Sequence, residues 1–567
     1  MAIELAPPQW HFVPKTLAAG SLPELELLFA TLQARPLQTA AGLAQWLLDE
    51  SELLSRIAAE QARRYVAMTC HTDDPNKRQS YLAMEQEVMP RVKVLADALD
   101  KRFLQSEALN QLDPKHYAVV IRKRRTQSEI FRAENTELQV KEAELQTQQQ
   151  TIAGSITVEF DGKPHTLPQM APYFESQDRN LREKAFAASL AARRQHWEKL
   201  EDTFDQLLAL RGTMAKNAGF TNYTPYRFLE LGRFDYGVTQ CLAFHAAVEN
   251  CVVPAVRKLD AIRTKQLALE SLRPWDLEVD VDGRPPHRPF ATQSELEDIC
   301  KSVFHAVDPR FAAEFAVLGK HDLLDLMSRQ GKAPGGYQYQ LEDVRLPFIF
   351  ANGVGLHQDV QTLLHEGGHA FHSLLCRHHD LLAFRDYPIE MAETASMSME
   401  LLGLENLTAA YTADRAKTAR KKHLEGILRT LTWIASIDAF QHWLYANQGH
   451  TRNQRRAAWV DIRNRFAPHI DWTGLQDAMA MQWVGQTHLF NHAFYYIEYG
   501  IAQIAALQVW RNYRSDKQAA VDDYRNACAL GGSRPLPELF MAANVTFDLS
   551  QTMLQGLVED VMKQMQD

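Results

Sequence analysis

"LLHEGGHAFHSLL", residues 363–375, places three histidines, a glutamate and two adjacent glycines in an otherwise apolar run. On an α-helix, at about 100° per residue, His365 and His369 stand one turn apart on one face. Their imidazoles can then converge on one ion. Glu366 follows His365, so it leans over the same point without aiming at it. This is H-E-x-x-H, a zinc site with an adjacent general base. The alternative is a pair of core histidines beside a chance glutamate. A glycine costs about 1 kcal/mol in a helix interior relative to alanine. Gly367 and Gly368 are therefore expected to clear space beside the metal, for another backbone or for a substrate. His372 lies nearly on the same face, but three ligands from one straight helix would span roughly 10 Å. It is expected to support or pack against the site. The metzincin pattern, with a third histidine after a glycine turn, is absent.

A catalytic zinc usually has three protein ligands and one open position, so a third ligand must come from elsewhere. "DYPIEMAETASMSMELL", residues 386–402, begins as a helix should, with a proline near its first turn. Glu390 falls in that first turn, where a carboxylate offsets the helix dipole without any metal. Glu393 and Glu400 are seven residues apart and share a face. Spacing alone leaves Glu390 and Glu393 tied as the third ligand. "CRHHD", residues 376–380, reads as a polar helix end, with Cys376 a small buried residue.

The rest of the chain is mostly helical in pattern. Apolar residues recur at three- and four-residue spacing over 22–34, 38–69, 77–113, 137–152, 177–217 and 238–270. Residues 156–167 predict a hairpin around Asp161-Gly162, 275–285 a short extended piece, and 337–355 two short strands before the histidine helix. "LQTQQQT", 145–151, is expected to end an exposed helix, and the basic run 122–125 to be a solvated helix face or loop. At 567 residues the chain is long enough for two to four domains of about 150 residues.

A net charge of −9 argues against nucleic acid as the main partner. The six cysteines are scattered without a C-x-x-C pair, which suits reduced thiols. The opening MAIELAPPQWHF lacks the pattern of a signal peptide. No run of about 18 apolar residues suggests a membrane span. A cytoplasmic location is the expectation, and nothing in the residues sets an oligomeric state.

"HEGGHAFH" followed by "AETASMSME" resembles the thimet oligopeptidase / oligoendopeptidase F family of zinc metallopeptidases. "GKAPGGYQYQ" (331–340), "PFIFAN" (347–352), "DVQTLLHE" (359–366) and "SQDRNLREKAF" (176–186) extend the likeness over roughly residues 175–567. The resemblance implies a mainly α, two-lobed fold with a deep central channel and a small β-sheet beside the active-site helix. A helical N-terminal domain would cover 1–185 and a catalytic domain 186–567. It implies one zinc per chain held by His365, His369 and Glu393, with Glu400 supporting a ligand histidine through its other ring nitrogen. Glu366 would be the general base.

"GQTHLFNHAFYYIEYGIAQ", residues 485–503, is a second chemical cluster. Its bland reading is an aromatic stripe on a core helix. The resemblance implies instead that a histidine and tyrosines face the zinc and hydrogen-bond the developing oxyanion. Tyr496 and Tyr499 match best; His488 matches the histidine, with His492 still open. Segment 344–351 is expected to pair with the substrate backbone as an added strand. Phe350, Ala351, Asn352, Gly353, His492 and Tyr495 are the expected substrate contacts. The implied activity is cleavage of internal bonds in short oligopeptides. An exopeptidase of the same chemistry, or a non-catalytic peptide-binding protein with a structural zinc, are the alternatives.

Overall fold

The computed structural model describes residues 8–566. The fold is mainly helical, with five short strands in two small sheets among the described residues. The helices Leu22–Ala34, Ala40–Cys70, Met89–Leu104 and Ala118–Ile130 enclose a first core. Trp46 and Phe103 stack within it, ring centroids 6.3 Å apart. A second, larger core joins most of the remaining helices, and a small third one packs Val158 and Met170 against Ala185 and Ala192. Ile130 and Leu145 already belong to this larger core, and residue 185 falls inside the helix Arg179–Arg194.

Two of the long helical patterns are interrupted, for one shared reason. The pattern over 77–113 contains a π-turn, Met84–Val88, and the pattern over 238–270 contains another, Val248–Val252. Each π-turn runs into a helix with proline in its first turn, Pro90 or Pro254. Proline has no N–H to donate and its ring crowds the preceding turn, so a locally wider turn absorbs it. The pattern over 177–217 also divides, into Arg179–Arg194 and Trp197–Asn217.

The hairpin forms where its turn residues stand: β1 (Thr157–Phe160) pairs antiparallel with β2 (Lys163–Thr166). Asp161 and Gly162 both take positive φ, 51° and 71°, as a two-residue hairpin turn requires. Residues 275–285 contain no strand. A 3-10 turn, Pro274–Asp276, occupies the start, because the buried Asp276 carboxylate is drawn to Arg179 and Arg182, each at 2.9 Å. The helix expected to end near 151 continues to Ser155 and buries Gln149. The basic run is not simply solvated: Arg124 turns inward to Glu50 and Asp100.

The sheet that matters to the site has the order β3-β5-β4, where β3 is Leu324–Met327, β4 is Tyr337–Leu341 and β5 is Leu346–Gly353. β3 runs parallel to β5 and β4 antiparallel. β5 is therefore the central strand, apolar and buried along nearly its whole length. Both its edges are already hydrogen-bonded, so it cannot accept a substrate strand, contrary to the expectation for 344–351. The free edge on this side belongs to β4.

Candidate active site

The histidine helix, His357–Cys376, leaves β5 through a turn at Gly355. Asp359 in its first turn accepts hydrogen bonds from the N–H groups of Val354 and Leu356, at 2.9 and 2.8 Å. The carboxylate satisfies orphan donors and offsets the positive helix end. The glutamate helix, Ile389–Leu404, lies against it. A Cβ at Gly368 would stand 2.5 Å from Ser396 Cα and 2.7 Å from Ala395 O. That glycine lets two backbones touch. Gly367 has a different reason: a Cβ there would meet the Phe304 ring at 2.5 Å, away from any metal.

This close approach delivers Glu393 to the histidines. Its Oε2 is 3.4 Å from His365 Nε2 and 3.5 Å from His369 Nε2. Ligands about 2.05 Å from a tetrahedral zinc are themselves about 3.4 Å apart. The donor set, two imidazole nitrogens and a carboxylate oxygen, fits zinc in kind and in spacing. His365 Nδ1 lies 2.7 Å from Glu400 Oε1, which fixes the tautomer with Nε2 turned to the shared point. Glu390, tied with Glu393 on spacing, is elsewhere: its Oε1 accepts from Tyr236 OH at 2.6 Å. His372 is fully buried, and its ring stacks on Tyr387 at 3.6 Å.

The electrostatics follow from these contacts. Burial pushes the Glu393 carboxyl up, but the two imidazoles outweigh it and hold it well below the usual range. Burial pushes His365 down, and its hydrogen bonds to Glu393 and Glu400 outweigh that, holding it well above the usual range. Glu366 is raised by burial, against the pull of His365 and His369. Its Oε2 is buried without a hydrogen-bond partner.

A wall of aromatic side chains closes the other side. The tyrosine helix, Tyr496–Ser515, starts just after Phe494, whose φ is +63°. A bulky residue pays roughly 1–2 kcal/mol for that conformation. Here the backbone is held on both sides: Gln441 Oε1 accepts from Phe494 N–H, and the Arg233 guanidinium donates to Phe494 O. Arg233 in turn pairs with buried Glu498 at 2.6 Å. The turn brings Tyr495 OH to Glu393 Oε1 at 2.6 Å and Tyr499 OH to His488 Nε2 at 3.3 Å.

Gln486 sets the proton positions in this wall. Its Oε1 accepts from Trp433 Nε1 at 2.9 Å and Tyr496 OH at 3.0 Å. Its Nε2 donates to His488 Nδ1 at 2.7 Å. Burial pushes His488 down to about 4, so the ring is neutral near pH 7 and carries its proton on Nε2, facing Tyr499. His488 thus joins the tyrosines. His492 is exposed, yet enough protein surrounds it to push its pKa down to about 3; its ring stands 6.0 Å from that of His488.

The profile of peptidase family M3 matches residues 173–559. The chain belongs to peptidase family M3. Among relatives of this M3 chain, the oligopeptidase PepF of Bacillus subtilis (strain 168) is 22% identical over 373 residues, 64% of this chain and 53% of that protein. The oligoendopeptidase F homolog of Borreliella burgdorferi is 22% identical over 418 residues, 70% of this chain and 68% of that protein. The match thus spans about half the length of the first of these. In three dimensions, PZ peptidase A solved with an inhibitor superimposes with a TM-score of 0.92 at 27% identity, covering 98% of both chains. Oligoendopeptidase-F from Enterococcus faecium shares the fold, with a TM-score of 0.64 at 16% identity over 96% of both chains.

In the M3 chain several expected substrate contacts have other work. The Phe350 ring is fully buried, sandwiched between Tyr337 at 4.7 Å and Lys332 at 4.3 Å. It cannot touch a ligand, because the central strand turns it into the core. Ala351 is buried and its carbonyl accepts from Lys332 Nζ. Asn352 Nδ2 donates to Ala333 O and Gly335 O, both at 2.8 Å, so it clamps the loop before β4. Gly353 lines a cavity of about 1250 Å³ beyond the strand end, with Tyr173, Arg288, Phe290 and Met327. Gly336 was not visible as a site residue: a Cβ there would stand 3.5 Å from Glu366 Oε1 and 3.4 Å from Phe350 O. Gln486, Gln441 and Arg233 were missed as well, since no local pattern marks a residue that acts through a distant partner. No helix among the described residues is long and apolar enough to cross a membrane.

Proposed function

We propose that the chain is a zinc-dependent endopeptidase acting on short oligopeptides. One observation carries this reading: Glu393 Oε2 stands 3.4 and 3.5 Å from two imidazole nitrogens, with the unpartnered carboxylate oxygen of Glu366 one residue away. A structural zinc site needs no such base. His365, His369 and Glu393 would hold the zinc, which supplies charge stabilisation and lowers the pKa of a water toward about 7.

Glu366 takes the proton of the attacking water and passes it to the leaving amine. Its raised pKa makes it the better acid for that second step. Tyr499 donates to the growing oxyanion, and the Nε2–H of His488 donates to the Tyr499 oxygen, which leaves the phenol proton free for that task. Tyr496 adds less, because its proton is engaged by Gln486. Tyr495 holds Glu393 Oε1, leaving Oε2 for the ion. The free edge of β4 reads the peptide backbone, and Gly335-Gly336 keep side chains out of its path beside Glu366.

The test is hydrolysis of a quenched fluorescent peptide blocked at both ends. Cleavage should vanish with a chelator and return with zinc. Glu366→Gln should lower kcat by about 10²- to 10⁴-fold while zinc still binds. Cleavage only of peptides with a free terminus would instead assign an exopeptidase. A Glu366→Gln protein at full rate would remove the base from the mechanism.

A further inference from the structure

Away from this cleft, two facing helices each carry a pair of ligand-type side chains four residues apart. Cys241 and His245 lie on Val238–Ala247; Asp438 and His442 lie on Ala413–Ala446. Residues at this spacing share a helix face. Ligand atoms of Cys241, Asp438 and His442 all lie within 4.8 Å of one another. Asp438 and Cys241 are fully buried, and the His442 side chain is 11% exposed.

The hydrogen bonding in this cluster is incomplete. His245 Nε2 lies 2.8 Å from Asp438 Oδ2, and that contact is sound. Asp438 Oδ1 has no partner. His442 Nε2 is 3.4 Å from Oδ2 but makes no hydrogen bond, so it too is unpartnered. Buried polar atoms in native proteins are nearly always satisfied. A purely structural Asp–His network would leave these two atoms orphaned beside a thiol. The nearby guanidinium, Arg233, reaches Glu498 and Phe494 O through its Nη2, and its buried Nε and Nη1 make no hydrogen bond, to Asp438 or to any other group.

We propose that Cys241, Asp438 and His442 form a second metal site, for a divalent transition ion of the zinc type, with His245 fixing the carboxylate. Sulfur, nitrogen and oxygen donors in one buried set are a zinc preference. A thiolate and a carboxylate neutralise the dication, so the buried charge balances. Donors to a tetrahedral zinc sit about 3.4–3.8 Å apart, so small side-chain rotations bring these three donors, now within 4.8 Å of one another, to bonding distance of one ion. The hydrogen bond from His245 to Asp438 is the outer contact that orients such a ligand. The position gives the site a purpose. The His442 ring is 5.2 Å from Phe494, and neighbouring Gln441 accepts from the Phe494 N–H. The ion would brace the helix that holds the turn leading into Tyr495, Tyr496 and Tyr499.

The inference does not rest on the peptidase reading, and its test uses full-length protein in which the first centre is removed by His365→Ala and His369→Ala. This protein is loaded with zinc, freed of excess by gel filtration and analysed for metal. About one zinc per chain should remain, and none after Cys241→Ser or His442→Gln is added. Cobalt(II) in the same protein should produce a thiolate-to-metal charge-transfer band in the near ultraviolet, lost in Cys241→Ser. A chain folded by circular dichroism that retains no zinc and shows no such band would overturn the proposal. So would zinc retention indifferent to both substitutions. If Cys241→Ser does not fold, the cobalt spectrum of the chain that keeps Cys241 decides the matter.

Discussion

Replacing Gly368 by alanine tests the packing on which the candidate centre depends. The new Cβ would stand 2.5 Å from Ser396 Cα and 2.7 Å from Ala395 O, both backbone atoms. Carbon atoms pack at about 3.5–4.0 Å, so the glutamate helix must retreat by about 1 Å. Glu393 is one turn earlier on that helix, and its Oε2 sits 3.4 and 3.5 Å from the two imidazoles. Metal sites accept errors of about 0.2 Å, so a retreat of this size breaks the ligand set. Overpacking costs about 1–3 kcal/mol, and the alanine returns about 1 kcal/mol of helix propensity. Net destabilisation is therefore small, whereas zinc affinity should fall about 10- to 100-fold. The assay is zinc titration of chelator-treated protein, read by peptide hydrolysis so that only the centre serving catalysis is counted, beside urea unfolding of each protein. Gly426→Ala is the control, because nothing lies within 4 Å of its Cβ; it should stabilise by up to about 1 kcal/mol. A Gly368→Ala protein with the wild-type zinc midpoint would refute the reasoning.

Three further outcomes are expected. Tyr499→Phe should lower kcat about 10²-fold or more with little change in KM, and Tyr496→Phe should cost less; steady-state kinetics showing the reverse order would reassign the oxyanion donors. Glu400→Gln weakens the hold on His365 Nδ1, and zinc affinity should drop about 10- to 100-fold, a loss that the same titration reads. Burial lowers His372 to about 3, and neither ring nitrogen has a partner. Between that value and about 6.5, the unfolded chain binds a proton that the folded chain refuses. Stability attributable to this group is therefore constant above about pH 6.5 and falls as pH drops, by about 1.4 kcal/mol per unit. His372→Phe should remove about 2 kcal/mol of acid sensitivity at pH 5 relative to pH 7.5; parallel urea curves with an unchanged difference would show that His372 does not cause it.

The hairpin turn was legible because Asp161-Gly162 is a local signal, read from two residues. The helical patterns were legible for the same reason, and their interruptions at Met84–Val88 and Val248–Val252 were missed although Pro90 and Pro254 stood in plain view. At both prolines the missing N–H outweighs the apolar spacing. The missed β3 strand, Leu324–Met327, is only four residues long and pairs with a segment more than twenty residues later. No short-range pattern announces it.

Placement within one helix follows from the residues alone: the period of 3.6 residues sets His365, His369 and Glu366 around a common point, whatever surrounds them. Which other helix meets that point, and with which face, is set by packing between distant segments. Glu393 rather than Glu390 reaches the imidazoles because Gly368 lets the backbone at Ala395 and Ser396 come close, while Glu390 is claimed by Tyr236. The strand containing Phe350 is closed to a peptide because β3 and β4 already occupy its edges. Cys241 and Asp438 come together across almost two hundred residues of chain. Helix periodicity is local and survives any environment, but contact between segments distant in the chain depends on the shape of everything packed between them.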